Sequence, residues 1–323
     1  MSGTGVTSAG TSRLPAGWVR LWSVYLAFVA LVLFDLAVTP GFRNPAVIRS
    51  LLFESAPVIL IGLGQSLAIG TRGIDLSVGS VMALSSAVIG VTLAWDPVGG
   101  QATSMALGIG AGLCCGLLNG LLIAFLRIDP LISSLSLLVA ARGLAQALLG
   151  GARADLPFDG AIPWLGAATV SVLPVTALLA LAIAVLFSFI VRRTTFGHYA
   201  IFAGASRTAS FLAGQPVRAT LVFVYGLSGL LAGIAGLFAT ARLGAADPNY
   251  IGVQFELDAI AASVIGGTPL SGGRVSTIGT VFGVLLLEVL DASFIMNNVN
   301  STYAQILKAG FIIAALYLQR AGG

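Results

Sequence analysis

The chain is poor in charge. Only 9% of its 323 residues are charged, whereas 57% are hydrophobic and the mean hydropathy is +1.01. A soluble domain carries about a quarter charged residues to cover its water-facing surface, so this composition excludes a soluble protein. The apolar runs are continuous rather than alternating, which excludes a membrane barrel as well. We therefore predict an all-α integral membrane protein.

Lysine and histidine are almost absent too. The one lysine, Lys308, is followed by alanine, so the chain has no G-x-x-x-x-G-K-S/T loop for ATP. The one histidine, His198, cannot by itself make a histidine-rich metal site or proton relay, and no Ser-His-Asp arrangement is suggested. We expect no catalytic residue, metal site or cofactor, which argues against a membrane enzyme acting on lipid.

Cysteine is scarce as well. The two cysteines, Cys114 and Cys115, are adjacent inside an apolar run. Neighbouring cysteines rarely form a structural disulfide, so we interpret them as small packing residues beside Gly112 and Gly116. The net charge of +4 comes mostly from arginine and indicates orientation and contact with lipid headgroups, not nucleic acid.

Ten apolar runs follow a small, polar, glycine-rich start. We predict that residues 1–17 form a disordered cytoplasmic tail and that residues 18–323 form one polytopic transmembrane domain. The first run ends at a turn, Thr39-Pro40-Gly41, and not at a small-x-small cleavage site, so it is interpreted as a helix and not as a signal peptide. The predicted spans are 21–38, 47–70, 76–95, 103–126, 130–150, 168–191, 218–241, 255–268, 276–293 and 302–319.

The arginines set the predicted orientation. With both termini in the cytoplasm, ten arginines fall on the cytoplasmic side and four fall outside, namely Arg43, Arg49, Arg153 and Arg242. Because basic residues are enriched in cytoplasmic loops, this topology is preferred.

A long basic segment separates the sixth and seventh spans. From Arg192 to Arg218 it carries four arginines and the only histidine, but no acidic residue. It also holds Phe196, Tyr199 and Phe211, which are too apolar for a solvated linker, so we predict short helix there. An amphipathic cytoplasmic segment of this kind is a docking surface for lipid headgroups or for a partner protein.

The eighth apolar segment is interrupted. Its helical part, Phe255 to Ile265, rises only about 17 Å and is followed by Gly266 and Gly267. Such a helix either lines a substrate path or is a short helix followed by an interfacial turn, and the sequence leaves both open. Glu256 and Asp258 at its start are either stabilised by the helix N-terminus or accept hydrogen bonds from a polyhydroxylated ligand.

Another break lies between the second and third spans, at residues 70–80. Asp75 is either the N-cap of the following helix, with Arg72 at the inner interface, or it positions a moving joint between two helices. Both breaks place an acidic residue before a glycine-punctuated helix, which suggests a distant duplication with opposite topology. The residues assigned to the translocation pathway or its hinges are Gly73, Asp75, Ser77, Gly79, Glu256, Asp258, Gly266 and Gly267.

Four more acidic residues, Asp35, Glu54, Glu288 and Asp291, lie in or near spans. An intramembrane carboxylate is a functional hypothesis by default. Ion coupling through such groups would make the chain a secondary carrier for a small polar solute, working alone. Because the carboxylates lie mostly near the predicted interfaces, we prefer structural roles and keep the carrier as the alternative.

Three segments carry a known pattern in register. They read TRGIDLSVGSVMAL at 71–84, RRTTFGHYAIFAGASRTASFLAGQPV at 192–217 and ARLGAADPNYIGVQFELDAIAASVIGGTPLSGG at 241–273. They resemble the (T/S)GIDLSVGS, T-x-x-G-R-x-x-x-A-x-G-x-N and ELDAIAAVVLGGTSL-x-GG segments of bacterial ABC sugar importer permeases, the ribose-, xylose-, arabinose- and galactose-type branch. The resemblance covers nearly the whole chain after the tail.

The resemblance implies a permease subunit of the bacterial inner membrane that forms the path for a monosaccharide or related polyol. Its partners would be a second permease subunit, identical or different, a cytoplasmic ATP-binding-cassette subunit that binds the ATP, and a periplasmic or lipid-anchored sugar-binding protein. Residues 192–217 would be the ATPase-coupling loop, with a short helix around Ala205 to Leu212 bracketed by glycine turns. The coupling residues would be Gly204, Ala205, Ser206, Arg207, Ala209, Leu212 and Gly214.

The loop also departs from the family pattern. His198 stands where arginine is usual, Ser206 where asparagine is common, and Gln215-Pro216 follows Gly214 where isoleucine is usual. These departures leave open which ATPase the chain pairs with.

Overall fold

The computed structural model describes residues 16–96 and 100–321. The predicted tail, 1–17, lies outside the described residues except for its last two, which begin the first helix. The structure is 74% helical. Its described part forms helices α1 (Ala16–Val38), α2 (Pro45–Gly70), α3 (Val78–Leu93), α4 (Gln101–Ala124), α5 (Pro130–Leu148), α6 (Ala161–Ala167), α7 (Val175–Arg193), α8 (Thr195–Ala205), α9 (Arg207–Leu212), α10 (Val217–Leu243), α11 (Phe255–Ile265), α12 (Thr277–Met296) and α13 (Ser301–Ala321).

Six helices within these ranges, α2, α4, α5, α7, α10 and α12, are long and apolar enough to cross a membrane. Each of the ten predicted runs contains a helix, but α3 has 16 residues and α11 has 11, which is short for a span. The all-α membrane class is therefore confirmed, whereas the number of spans and the location of the termini stay predictions.

Four two-residue strands form two small antiparallel ladders that the sequence did not predict. Strand β1 (Ala154–Asp155) pairs with β4 (Ala245–Ala246), and β2 (Thr169–Val170) pairs with β3 (Leu173–Pro174). The second ladder occupies the start of the predicted sixth span, so α7 begins only at Val175. Both the hairpin and α7 are made of small and apolar residues, so the sequence gave no signal for the boundary between them.

A stripe of glycines on α4 packs backbone to backbone against α10. A Cβ atom at Gly112 would lie 2.6 Å from the carbonyl oxygen of Gly229, and one at Gly116 would overlap the carbonyl oxygen of Tyr225. With no hydrophobic drive between helices in lipid, close contact of small residues is what holds such a pair together. The two helices therefore form a rigid unit, and α10 is the most buried of the apolar spans.

Two parts of the chain repeat the same order of elements. A long helix, α2 or α10, is followed by a nonhelical segment, a short helix and two further helices. The long helices are antiparallel, because Arg242 near the end of α10 lies 3.5 Å from Glu54 near the start of α2. The nonhelical segments 71–77 and 244–254 therefore enter the bundle from opposite ends, as expected for an inverted duplication. From here on, residues 71–77 are called the first break and residues 244–254 the second break. The end that carries α8 and α9 is called the loop end, and the end that carries α6 and residues 244–254 is called the distal end.

Asp35 has a structural role at the distal end. Its carboxylate accepts hydrogen bonds from the hydroxyls of Thr39, at 2.6 Å, and Ser293, at 2.7 Å. These bonds tie α1 to α12. The preference for a structural role over ion coupling agrees with this geometry.

Candidate functional site

The basic segment folds as two helices joined at a sharp corner. The hydroxyl of Thr194 accepts a hydrogen bond from the Gly197 amide at the start of α8, and the hydroxyl of Ser206 accepts one from Ala209 at the start of α9. These are N-cap bonds, which satisfy amides that have no partner inside the helix. Gly214, with φ +74°, turns the chain into α10.

The position of Gly204 corrects the expectation from the sequence. Gly204 was expected to form a turn before one helix spanning Ala205 to Leu212, but it lies in the last turn of α8, and α9 begins only at Arg207. It is buried, and a Cβ atom there would overlap the carbonyl oxygen of Gly70. Glycine is required because the backbone of α8 touches the end of α2.

Arg72 joins three segments at the loop end. Its Nε donates a hydrogen bond to the carbonyl of Ser271, at 2.7 Å, and its Nη2 donates one to the carbonyl of Ala205, at 2.8 Å. The backbone of Arg72 is left-handed, with φ +61°, which turns its side chain to this position. The sequence placed Arg72 at a lipid interface, whereas the structure uses it as a connector.

Two further bonds close the same contact. The amide of Gly273 donates to the carbonyl of Gly70 at 2.9 Å, and Nη2 of Arg207 approaches the carbonyl of Thr71 at 3.4 Å. Residues 70–72, 204–207 and 271–273 are therefore held together, and this contact is called the junction. It brings parts of all three recognised segments to one place.

Asp75 ties the first break to α10. The carboxylate is 1% exposed and accepts hydrogen bonds from the amide of Ser77 at 3.1 Å, from its hydroxyl at 2.6 Å, and from the hydroxyl of Ser228 at 2.9 Å. Ser77 itself occupies the N-cap position of α3. Asp75 is thus two residues too early to be the N-cap, and it fixes the break to a neighbouring helix. Gly73 lies beside it against the hydroxyl of Tyr225.

The two breaks meet inside the bundle. A Cβ atom at Gly79, in the first turn of α3, would overlap the carbonyl of Gly252 and the carboxylate of Glu256. Glu256 therefore lies against the start of the other short helix. This contact places one predicted residue from each break, Gly79 and Glu256, side by side.

Asp258 is engaged in an ion pair. It lies 2.8 Å from Nζ of Lys308, which also lies 2.7 Å from Asp291 on α12. The sequence left two roles open for Asp258, stabilisation by the helix N-terminus or hydrogen bonds to a ligand. The structure adds an ion pair with a lysine of the same chain, and ligand contact stays a prediction. The cluster joins α11, α12 and α13.

Gly266 and Gly267 bring α11 back onto α12. A Cβ atom at Gly266 would overlap the backbone of Gly279, and Gly267 has φ +94°. The hydroxyl of Thr268 accepts a hydrogen bond from the amide of Ser276, at 3.0 Å, which closes the turn. Both glycines are required for close packing and a left-handed turn; their role as hinges stays a prediction.

Loss of Lys308 is expected to destabilise the protein. Lys308→Met would leave Asp258 and Asp291 facing each other without a partner. Because these carboxylates are 27% and 38% exposed, solvent screening keeps the cost below that of a fully buried pair, at about 1–2 kcal/mol. Thermal unfolding in detergent should show a clear fall in Tm. The double variant Lys308→Met, Asp291→Asn should recover part of it, and an unchanged Tm in the single variant would contradict the pairing.

The outer surface of α9 is exposed and apolar. Phe211 is 73% exposed and Leu212 is 79% exposed, and Ala209 is exposed as well. Beside α9 lies a cavity of about 630 Å³ whose lining includes Arg127, Asp129, Arg207, Phe211 and Arg218. An apolar helix face beside a basic groove fits a partner protein better than bulk water.

Among the side chains that the structure describes, no group of three or more histidine, cysteine, aspartate or glutamate residues is placed to hold a metal ion. Cys114 and Cys115 are both free thiols.

Sequence reasoning gave no role to Arg142, Tyr225 or Ser228, because isolated polar residues in apolar runs carry no pattern.

Comparison with known proteins identifies the family. The model of the family described as "Branched-chain amino acid transport system / permease component" matches residues 47–316. The galactofuranose transporter permease protein of Escherichia coli (strain K12) is 34% identical over 317 residues, which cover 95% of this chain and 90% of the relative. The ribose import permease protein of Bacillus subtilis (strain 168) is 34% identical over 299 residues, 92% of this chain and 91% of the relative.

The fructose import permease protein of Bifidobacterium longum (strain NCC 2705) is 33% identical over 289 residues, which cover 87% of this chain and 79% of the relative. No solved structure gives a significant match.

Proposed function

The chain belongs to the family of branched-chain amino acid transport system permease components, and from this premise we propose that it is the permease subunit of an ATP-driven importer for a monosaccharide or related polyol. It is a multi-pass protein of the inner membrane. The sugar class comes from its relatives, which are named for galactofuranose, ribose and fructose transport. The single observation that carries the mechanism is the junction, which connects the exposed helix α9 to residues 70–72 and to residues 271–273.

The proposed partners follow from the two ends of the bundle. A cytoplasmic ATP-binding-cassette subunit docks on α9 and binds the ATP, so the permease needs no cofactor of its own. An extracytoplasmic binding protein delivers the sugar at the distal end, and a second permease subunit completes the pathway. This arrangement assigns about ten spans and cytoplasmic termini, which place the basic segment with its four arginines in the cytosol.

In this mechanism α9 transmits the movement of the ATPase to the membrane helices. Movement of α9 with the ATPase displaces Ala205, and Arg72 transmits the displacement to residues 70–77 and to Ser271. The first of these segments leads directly into α3, and the second leads into α12. Because hydrogen bonds connect these segments directly, the motion reaches α3 and α12 at once.

Docking is tested with charge on the exposed face of α9. The double variant Phe211→Glu, Leu212→Glu should lower co-purification of the ATPase about tenfold or more, because these two side chains would supply an apolar anchor. Pull-down from detergent with the ATPase of the same transporter measures this. The matched control is Phe158→Glu at the distal end, where Phe158 is 98% exposed and the same charge should have no effect.

Two results would overturn the proposal. Equal retention of the ATPase by the double variant and by wild type would remove α9 as the docking element. Sugar uptake by the chain alone in vesicles, driven by a proton or sodium gradient, would favour the ion-coupled carrier instead.

A further inference from the structure

The second break closes the distal end of the bundle. Residues 244–254 begin at the distal surface, where Ala246 pairs with Ala154, and then run inward until Gly252 touches Gly79. α11 starts only after this point, at Phe255. The segment also walls a cavity of about 540 Å³ between α2 and α10, which Glu54 and Arg242 line from the other side.

Arg142 of α5 holds this segment in place. Its Nη1 donates hydrogen bonds to the carbonyls of Pro248, at 2.8 Å, and Ile251, at 2.7 Å, and its Nη2 donates to the carbonyl of Gly252, at 3.0 Å. All three acceptors are neutral backbone groups. Hydrogen bonds from a charged donor are among the stronger ones, and three on one guanidinium fix the course of the loop.

A second contact lies one turn further along α5. Nε2 of Gln146 donates to Oδ1 of Asn249 at 2.9 Å, and Nδ2 of Asn249 donates to the carbonyl of Gly151 at 2.9 Å. Hydrogen bonds from amide and guanidinium groups therefore hold the loop against α5 and the residues that follow it. These hydrogen bonds can be broken and remade without leaving a carboxylate unpaired.

An alternative partner for Arg142 is close by. Glu256, in the first turn of α11, interacts electrostatically with the guanidinium. If the loop moves away, the charge of Arg142 keeps a favourable neighbour, so release leaves no isolated buried cation. Two alternative arrangements of one element are what a gate requires.

We propose that Arg142 is the latch of a distal gate: its three hydrogen bonds keep residues 247–254 closed over the path, and their release opens the path toward the distal end. This inference rests on the proposed import function. Arg142 is a positioning residue, because it acts on the path by holding the backbone of residues 247–254 in place. The matching contact at the loop end is the junction, where Arg72 also donates to backbone carbonyls.

The gate is tested by restraining the loop. In a background with Cys114→Ala and Cys115→Ala, the pair Gln146→Cys and Asn249→Cys is joined by a short, cleavable bifunctional thiol reagent. In proteoliposomes that hold the whole transporter, uptake of labelled ribose or fructose, whichever the wild type accepts, should fall about tenfold or more and return after cleavage. The control pair is Arg153→Cys and Asp155→Cys, two exposed side chains that are hydrogen bonded at the same end, and crosslinking them should leave uptake unchanged.

A second measurement separates a latch from a merely structural arginine. Ile251 is 3% exposed, so in the same Cys114→Ala, Cys115→Ala background Ile251→Cys should react with an impermeant thiol reagent only during ATP turnover when Arg142 is present. Adding Arg142→Gln should raise the rate about tenfold without ATP, whereas Arg142→Lys should give an intermediate rate.

Undiminished uptake by the crosslinked Gln146–Asn249 pair, or an equal loss in both pairs, would overturn the gate. An Ile251→Cys rate that is insensitive to Arg142→Gln would overturn the latch. Failure of the import function itself is a different result, because the wild-type transporter would then take up neither sugar.

Discussion

Arg72→Ala is expected to reduce transport about ten- to a hundredfold while leaving the ATPase bound. Each hydrogen bond from this exposed guanidinium contributes on the order of 0.5–1.5 kcal/mol, and the variant loses both the bond to Ala205 and the bond to Ser271. The exposed face of α9 is untouched, so docking persists while the movement of α9 no longer reaches the breaks. Uptake into proteoliposomes and ATP hydrolysis by the same preparation measure the two effects separately.

The matched control is Arg274→Ala. Arg274 is an exposed arginine on the same loop as Ser271, and within the described residues it makes no hydrogen bond, so its removal changes the charge alone. Uptake should stay within about twofold of wild type, since isolated surface charges contribute little. Equal losses in the two variants would mean that charge, and not the connection through Arg72, is what the transporter needs.

Gly116→Leu is expected to prevent the bundle from forming. Even the Cβ atom would overlap the carbonyl oxygen of Tyr225 and would come within 2.8 Å of the Cα atom of Gly229, so α4 and α10 cannot keep their distance. Overpacking a tight contact costs about 1–3 kcal/mol or more, and here the obstacle is backbone that cannot move aside. The yield of monodisperse protein in detergent should fall sharply.

The control for this substitution lies on the same helix. Gly110 has nothing within 4 Å of the position of its Cβ atom, so Gly110→Leu adds the same volume on an open face. Its yield and Tm should match those of wild type. A normal yield from Gly116→Leu would show that the α4–α10 contact is looser than the geometry indicates.

The two proposals together give each break its own arginine. Arg72 connects the first break to the element that meets the ATPase, and Arg142 holds the second break at the opposite end. The breaks touch each other through Gly79 and Gly252, so a displacement of one bears directly on the other. Alternating access in this chain would then depend on two sets of backbone hydrogen bonds being broken at different times.

The amino-acid sequence determined the class of the protein and the position of its elements. Low charge and long apolar runs are properties of single segments, so they identified the membrane helices without any knowledge of packing. The short eleven-residue α11 and its glycine terminus were predicted for the same local reason. The motifs at 71–84, 192–217 and 241–273 identified the family, and comparison with known proteins confirms it.

Only the tertiary structure decided what the individual polar residues do. Arg72, Asp75 and Arg142 each bind groups that are distant in the sequence, Ser271, Ser228 and Pro248 among them. Lys308 pairs with Asp258, a contact that the sequence gave no reason to expect. A hydrogen bond between residues that are far apart in the sequence cannot be predicted from a periodic pattern. Which groups bond depends on how the helices pack and on which backbone carbonyls have no other partner. The sequence therefore located the break at residues 70–80 and the glycine end of α11, whereas the structure showed the nonhelical segment 244–254 and which arginine holds each break.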